Sequence, residues 1–97
     1  MIKVYRVLLA VDYKDGRQRE LFYSENKERA ELKFKQVCKI VQRIADDNGL
    51  NVHDIEQSNM WHTFAAAGTE GKVYAHAELL THDVREDFMN LYNYPLF

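Results

Sequence analysis

The stretch SENKERAELKFKQVCKIVQRIADDNG, residues 24–49, is the one part of this 97-residue chain whose pattern predicts a single long element. Its apolar residues recur at steps of three and four, as one face of an α-helix requires. They are Ala30, Phe34, Val37, Val41 and Ile44, with Cys38 and Ala45 beside them. Ser24 or Asn26 can cap the start, and Gly49 followed by Leu50 predicts a left-handed stop. We therefore predict a long amphipathic helix with one buried face.

The segment before this helix predicts a β-hairpin. Residues 2–13 alternate with both faces largely apolar, which is typical of a central strand. The turn signal Lys14-Asp15-Gly16 leads to a returning strand over 17–23, nearer an edge because its first positions are polar. A three-residue turn with Gly16 in the left-handed position sets the register. The predicted pairs are Tyr13 with Arg17, Leu9 with Leu21 and Val7 with Tyr23.

A second hairpin is predicted after the helix. Residues 51–59 are interpreted as a connection that holds at most a short strand. Residues 60–67 and 72–81 then pair around a turn at 68–71. The favoured register pairs Ala66 with Tyr74, Phe64 with His76 and His62 with Glu78. It turns Trp61, Thr63, Ala65 and Ala67 toward the helix, and a slip of one residue would exchange the two sets.

The end of the chain predicts a short final helix. Asp83 and Glu86 have the spacing of a capping box, Val84, Phe88 and Leu91 follow at helical spacing, and the element stops before Pro95. The predicted fold is an α+β domain over residues 1–97. It has an antiparallel sheet of about four strands, the order β-β-α-β-β-α, one long helix on one face of the sheet and a short C-terminal helix.

Composition narrows the classes of function. A formal net charge of −2 and a pI near 6.1 exclude a strong general attraction to nucleic acid or to anionic membranes. Cys38 is the single cysteine, so no intramolecular disulfide forms. The first strand is too short and too charged for a membrane span or a signal peptide. We expect a cytoplasmic protein with no membrane partner.

No catalytic or cofactor motif stands out in the sequence. A nucleophile with its base, a phosphate loop and a close set of metal ligands are all missing as local patterns. His53, His62, His76 and His82 are interpreted as independent, partly exposed residues, so no metal and no cofactor is expected. The pairing of His62 with Glu78 is the one arrangement that suggests acid–base chemistry. A small enzyme built on that pair is the third hypothesis.

The chain is rich in aromatic residues. Because one helix covers only one face of a sheet, we expect some of these residues to lie on the other face. The leading hypothesis is therefore a non-catalytic protein-binding accessory or inhibitory module, whose partner is another protein or a second copy. A phage or mobile-element origin would suit such a module, although no residue demonstrates it. The predicted contact residues are Phe64, Tyr74, His76, Tyr92 and Tyr94. The alternative is a nucleic-acid-binding module that uses Arg17, Arg19, Lys35, Lys39 and Arg43.

Overall fold

A computed structural model describes residues 2–13, 16–58 and 60–84, and shows an α+β fold in which one helix packs against a five-stranded antiparallel sheet. The elements are β1 (Ile2–Tyr13), β2 (Gly16–Ser24), α1 (Lys27–Asn48), β3 (Asn51–Ser58), β4 (Trp61–Ala67) and β5 (Val73–Val84). The strand order is β2-β1-β5-β4-β3. The β1–β2 hairpin and the β3–β4–β5 meander are thus joined by the pairing of β1 with β5.

The long helix forms where the sequence predicts it. At its start, the Asn26 side chain accepts a hydrogen bond from the backbone N–H of Arg29 at 3.1 Å. At its end, Gly49 adopts the left-handed conformation with φ 64°, and its N–H donates to the Ala45 carbonyl. Both caps satisfy backbone groups that a helix end leaves unpaired. The predicted buried stripe is confirmed over most of its length.

The core lies between this helix and one face of the sheet. The helix contributes Ala30, Phe34, Val37, Val41 and Ala45, and the sheet contributes Val7, Leu9, Ala66, Ala75 and Ala77, all buried. Alanine recurs on both sides of the interface, so the helix backbone can approach the sheet closely. Interiors pack at the density of organic crystals, so this approach leaves little room for larger side chains.

The predicted register of the second hairpin is wrong by one residue. Phe64 pairs with Ala77 and His62 with Leu79, so these two β4 residues face the helix. A bulge between Ala66 and Ala67 takes up the extra residue. The observed register buries part of Phe64 in the core. Ala75 and Ala77 of β5 lie beneath the helix as predicted, whereas on β4 it is Ala66 rather than Ala65 and Ala67 that does so.

The first hairpin differs from its prediction in the same way. Val7 pairs with Phe22 rather than with Tyr23, and Tyr13 pairs with Gly16 rather than with Arg17. Phe22 therefore packs beside the core, where the Lys33 ammonium lies 4.0 Å from its ring centroid.

The number of strands and the end of the last strand also differ from the prediction. Asn51–Ser58 is a full edge strand paired with β4. All but one of its residues are exposed, so it lacks the alternating apolar pattern of a half-buried strand. Asp83 lies within β5 instead of capping a helix. The remainder of the predicted final helix lies outside the described residues.

Substitution of two adjacent alanines tests the observed register. Ala66→Leu adds volume at a position with no exposed surface and should lower the free energy of unfolding by about 1–3 kcal/mol. Ala65→Leu changes a half-buried residue on the other face of the sheet, so its effect should be smaller. Urea titration measures both. If Ala65→Leu lowered the free energy of unfolding more than Ala66→Leu, the result would support the register predicted from the sequence instead of the observed one.

The centre of the core is tested at Phe34, which is 6% exposed. Phe34→Ala should lower the free energy of unfolding by about 3–5 kcal/mol because it leaves a cavity beneath the helix. Lys39→Ala, on the outward side of the same helix, should stay within about 0.5 kcal/mol of the parent. Equal losses in a denaturant titration would contradict the orientation of α1.

Candidate functional site

The sheet face turned away from α1, which we call the open face, is fixed by strand alternation. Val7 and Leu9 face the helix, so Arg6, Leu8 and Ala10 on β1 lie on the opposite side. Residues directly opposite each other in an antiparallel pair share a face. The open face therefore also carries Arg19, Leu21 and Tyr23 on β2, His76, Glu78, Leu80 and His82 on β5, Trp61, Thr63 and Ala65 on β4, and His53 and Ile55 on β3.

An ion pair between Arg6 and Glu78 occupies the middle of this face. Their side chains are only 27% and 14% exposed, and among the described residues the Arg6 Nε has no hydrogen-bond partner. Burial lowers the pKa of His82, the Arg6 charge lowers it further, and Glu78 opposes the shift. His82 is therefore neutral at pH 7. Removing two charges from water costs free energy that offsets much of their attraction, so a half-buried pair of this kind adds little stability.

Apolar side chains surround the ion pair. Leu21, Ile55 and Trp61 are 46%, 48% and 39% exposed, and Leu8 and Leu80 between them are half-buried. These residues come from all five strands. Trp61 is the single tryptophan of the chain, so its fluorescence reports on this surface and on a cavity that it also borders.

Next to the apolar residues lies a hollow that we call the Ala10 hollow. Ala10 pairs with Arg19 on one side and with His76 on the other, and a cavity of about 270 Å³ is bordered by all three. Adjacent strands lie about 4.8 Å apart, so Arg19 and His76 flank the small alanine at a separation of about 10 Å. The Arg17 Nε lies 3.8 Å from an Asp12 carboxylate oxygen. Arg19 makes no ion pair with any residue that the structure describes.

The predicted protein-contact residues do not share one surface. Phe64 packs against the core on the helix side, whereas His76 lies on the open face. The Tyr74 hydroxyl donates to Glu70 at 2.7 Å, and this hydrogen bond is the main cause of the lowered pKa of Glu70. Tyr92 and Tyr94 lie outside the described residues. The prediction did not include Leu21, Ile55 and Trp61. A register shifted by one residue in each hairpin would have indicated Leu21 and Trp61, whereas Ile55 lies on β3, outside both predicted hairpins.

The predicted nucleic-acid residues divide into two groups. Arg17 and Arg19 lie on β2, with Arg19 on the open face. The basic residues of α1, Lys35, Lys39 and Arg43, lie across the sheet from it and are exposed. No single groove can therefore use all five residues at once to follow a phosphate backbone.

The predicted pair of His62 with Glu78 does not form, because these residues lie on opposite faces of the sheet. His62 Nε2 instead lies 2.5 Å from Asp54 Oδ1, and its ring centroid is 4.8 Å from that of Phe34. Burial raises the pKa of the nearby Cys38 thiol to about 12, and the Asp54 charge contributes in the same direction. The thiol is protonated at neutral pH and is a poor nucleophile. Within residues 2–13, 16–58 and 60–84, no three His, Cys, Asp or Glu side chains are placed to hold a metal ion.

Comparison with known proteins gives no relative: no family model matches the chain, and no curated protein or solved structure is significantly similar to it. None of the helical segments described here has the length and apolar character that crossing a membrane requires. Function has to be argued from the chain's own residues.

The raised pKa of Cys38 predicts slow alkylation. A shift from the ordinary 9.0 to about 12 lowers the thiolate fraction about 10³-fold at any pH below 9. Iodoacetamide should therefore react far more slowly with the folded protein than with the urea-unfolded chain. Asp54→Asn removes a negative charge that opposes ionisation, so it should speed the reaction. Equal rates in the folded and unfolded protein would contradict the buried position of the thiol.

Proposed function

We propose that the chain is a non-catalytic, protein-binding accessory or inhibitory module of the cytoplasm. Its open face binds a segment of another protein that carries a carboxylate beside apolar side chains. The observation that carries the proposal is the Ala10 hollow, because Arg19 borders it without an ion-pair partner among the described residues. The free thiol of Cys38 suits a reducing compartment.

The energy of such a complex would come from the exposed apolar side chains. Leu21 lies two residues from Arg19 on β2, and Trp61 lies across the same face. Burial of apolar surface contributes about 25 cal/mol per Å², and tryptophan and arginine are enriched among the residues that dominate interface energy. A partner side chain over Leu21 would thus hold a neighbouring carboxylate near Arg19.

The charged residues of the open face favour a different protein as the partner over a second copy of this chain. The open face has its own carboxylate in Glu78, and Arg6 already holds it. Asp12 at the edge of the hollow is next to Arg17. Among the described residues, two open faces packed together would therefore bring no unengaged carboxylate to Arg19. An acidic residue of another protein supplies that charge, and the guanidinium can bind it through two parallel hydrogen bonds.

Selection from a display library of random linear peptides tests the proposal. Peptides enriched on the immobilised protein should carry Asp or Glu next to Leu, Ile or Phe. Titration of a synthetic enriched peptide should move the Trp61 emission to shorter wavelength, since the indole loses water on binding. Enrichment without acidic residues, or binding that leaves the emission unchanged, would contradict the proposal.

Two arginines of similar exposure give the matched pair of variants. Arg19→Gln should raise the Kd of the enriched peptide about 10- to 100-fold, the effect expected for a charge-assisted hydrogen bond. Arg43→Gln on α1 should leave the Kd unchanged. An equal loss in both variants, together with salt-dependent binding of an RNA or DNA oligonucleotide, would favour the nucleic-acid alternative. Light scattering that shows dimers through the same face would favour self-association.

A further inference from the structure

A larger cavity of about 580 Å³ lies on the helix side of the sheet. It is bounded by the ends of the strands and the first turns of α1, and we call it the strand-end pocket. Its walls include Lys3 and Tyr5 of β1, Leu79 and Thr81 of β5, and Phe34 and Lys35 of α1. Small-molecule sites usually enclose about 300–1,000 Å³. The pocket is therefore large enough for a ligand of moderate size.

The pocket exists because the central strands are longer than the helix that covers them. β1 and β5 have 12 residues each and extend about 40 Å, whereas the 22 residues of α1 rise about 33 Å. Tyr5 pairs with Thr81 at the uncovered end of the sheet. The helix therefore cannot fill the space above this pair.

The floor of the pocket is apolar and partly aromatic. Phe34 is buried, Leu79 packs against the core, and the His62 ring leans against Phe34. The nearby Asp54 carboxylate already holds the Nε2 atom of His62. Such a floor suits the flat hydrocarbon body of a ligand, because aromatic rings pack well in tilted or offset arrangements.

Charged groups line the rim. Lys27 lies 3.9 Å from Glu31, so these two charges largely offset each other. Lys3 and Lys35 make no ion pair with the described residues, and Glu56 is the remaining carboxylate of the lining. The lining holds three lysines and two glutamates, and the Asp54 carboxylate lies beside it at His62. The positive and negative charges therefore nearly balance, so the two lysines without a described ion pair suit a ligand with one carboxylate better than a dianion such as a phosphate monoester.

We propose that the strand-end pocket binds a small organic acid that combines one carboxylate with a flat apolar body. The body lies on Phe34 and Leu79, and the carboxylate meets the Lys35 ammonium at the rim. Tyr5 and Thr81 are opposite each other in the pocket wall, and each carries a hydroxyl that can donate a hydrogen bond to a carboxylate. This site is on the opposite side of the sheet from the Ala10 hollow, although Trp61 of the open face also borders the strand-end pocket. Arg19 borders only the hollow and Lys35 borders only the pocket, so substitutions of these two residues test the two proposals separately.

Titration with 2-naphthoate tests the proposal. A compound of this size binds with a Kd of about 1 mM at ordinary ligand efficiency. Proton–nitrogen correlation spectra of the labelled protein should therefore show saturable shifts as its concentration approaches several Kd. The shifts should be largest at the amides of Tyr5, Lys35 and Leu79, and small at Arg19 and Leu21. No saturation, or the largest shifts on the open face, would overturn the proposal.

Two further probes separate the charge from the body of the ligand. Neutral 2-naphthylmethanol lacks the carboxylate, and acetate lacks the ring system. Both should bind at least about twofold more weakly than 2-naphthoate, because each gives up one of the two contacts. Equal affinity for 2-naphthylmethanol would show that the rim lysines do not take part, and equal affinity for acetate would show that the apolar floor does not.

Two lysines of the same helix provide the matched variants. Lys35→Gln should raise the Kd of 2-naphthoate about two- to fivefold, the loss expected for one partly exposed ion pair. Lys39→Gln lies one turn further along, outside the pocket lining, and should leave the Kd unchanged. Both side chains are exposed, so neither substitution should unfold the protein. The same Kd in the two variants would overturn the assignment of the charged contact.

Discussion

The close contact between α1 and the sheet is the interaction on which the rest of the structure depends. Alanines at Ala30 and Ala45 on the helix meet Ala66, Ala75 and Ala77 on the sheet, and all five are buried. A larger residue at this interface would force the helix outward and open the core on both sides. The contact therefore fixes the height of the helix over the sheet and, with it, the register in which β4 and β5 can pair.

In the part of the chain that the structure describes, one helix covers one face of the sheet and no element covers the open face, although Val4, Ala10 and Tyr23 on the open face are buried. The half-buried ion pair of Arg6 and Glu78 holds β1 to β5 there, in the middle of the sheet, where an apolar pair would also have been tolerated. Leu21 and Trp61 are exposed apolar groups on either side of the ion pair, and no element among the described residues covers them.

The helix could be predicted from the sequence because its signals are local, whereas the strand registers could not. Apolar spacing, the Asn26 cap and the Gly49 stop all act within one or two turns. The run Ala65-Ala66-Ala67 shows no preference for either face, so the choice between two registers depends on Phe64 and on a bulge that leaves no trace in the sequence. β3 was missed because an exposed edge strand has no apolar period to detect.

The candidate sites also depend on contacts between residues that are far apart in the sequence, which local patterns do not reveal. Arg19 was among the predicted basic residues, but it resembles Arg43 in type and exposure. Its position is distinctive because Ala10, a residue on another strand, leaves space beside it. Lys35 and Lys39 differ for a similar reason, since only Lys35 borders the uncovered end of the sheet. A basic side chain can contact a ligand only where a small neighbouring residue or an uncovered part of the sheet leaves space beside it. Which residues are its neighbours is known only once the strands are paired.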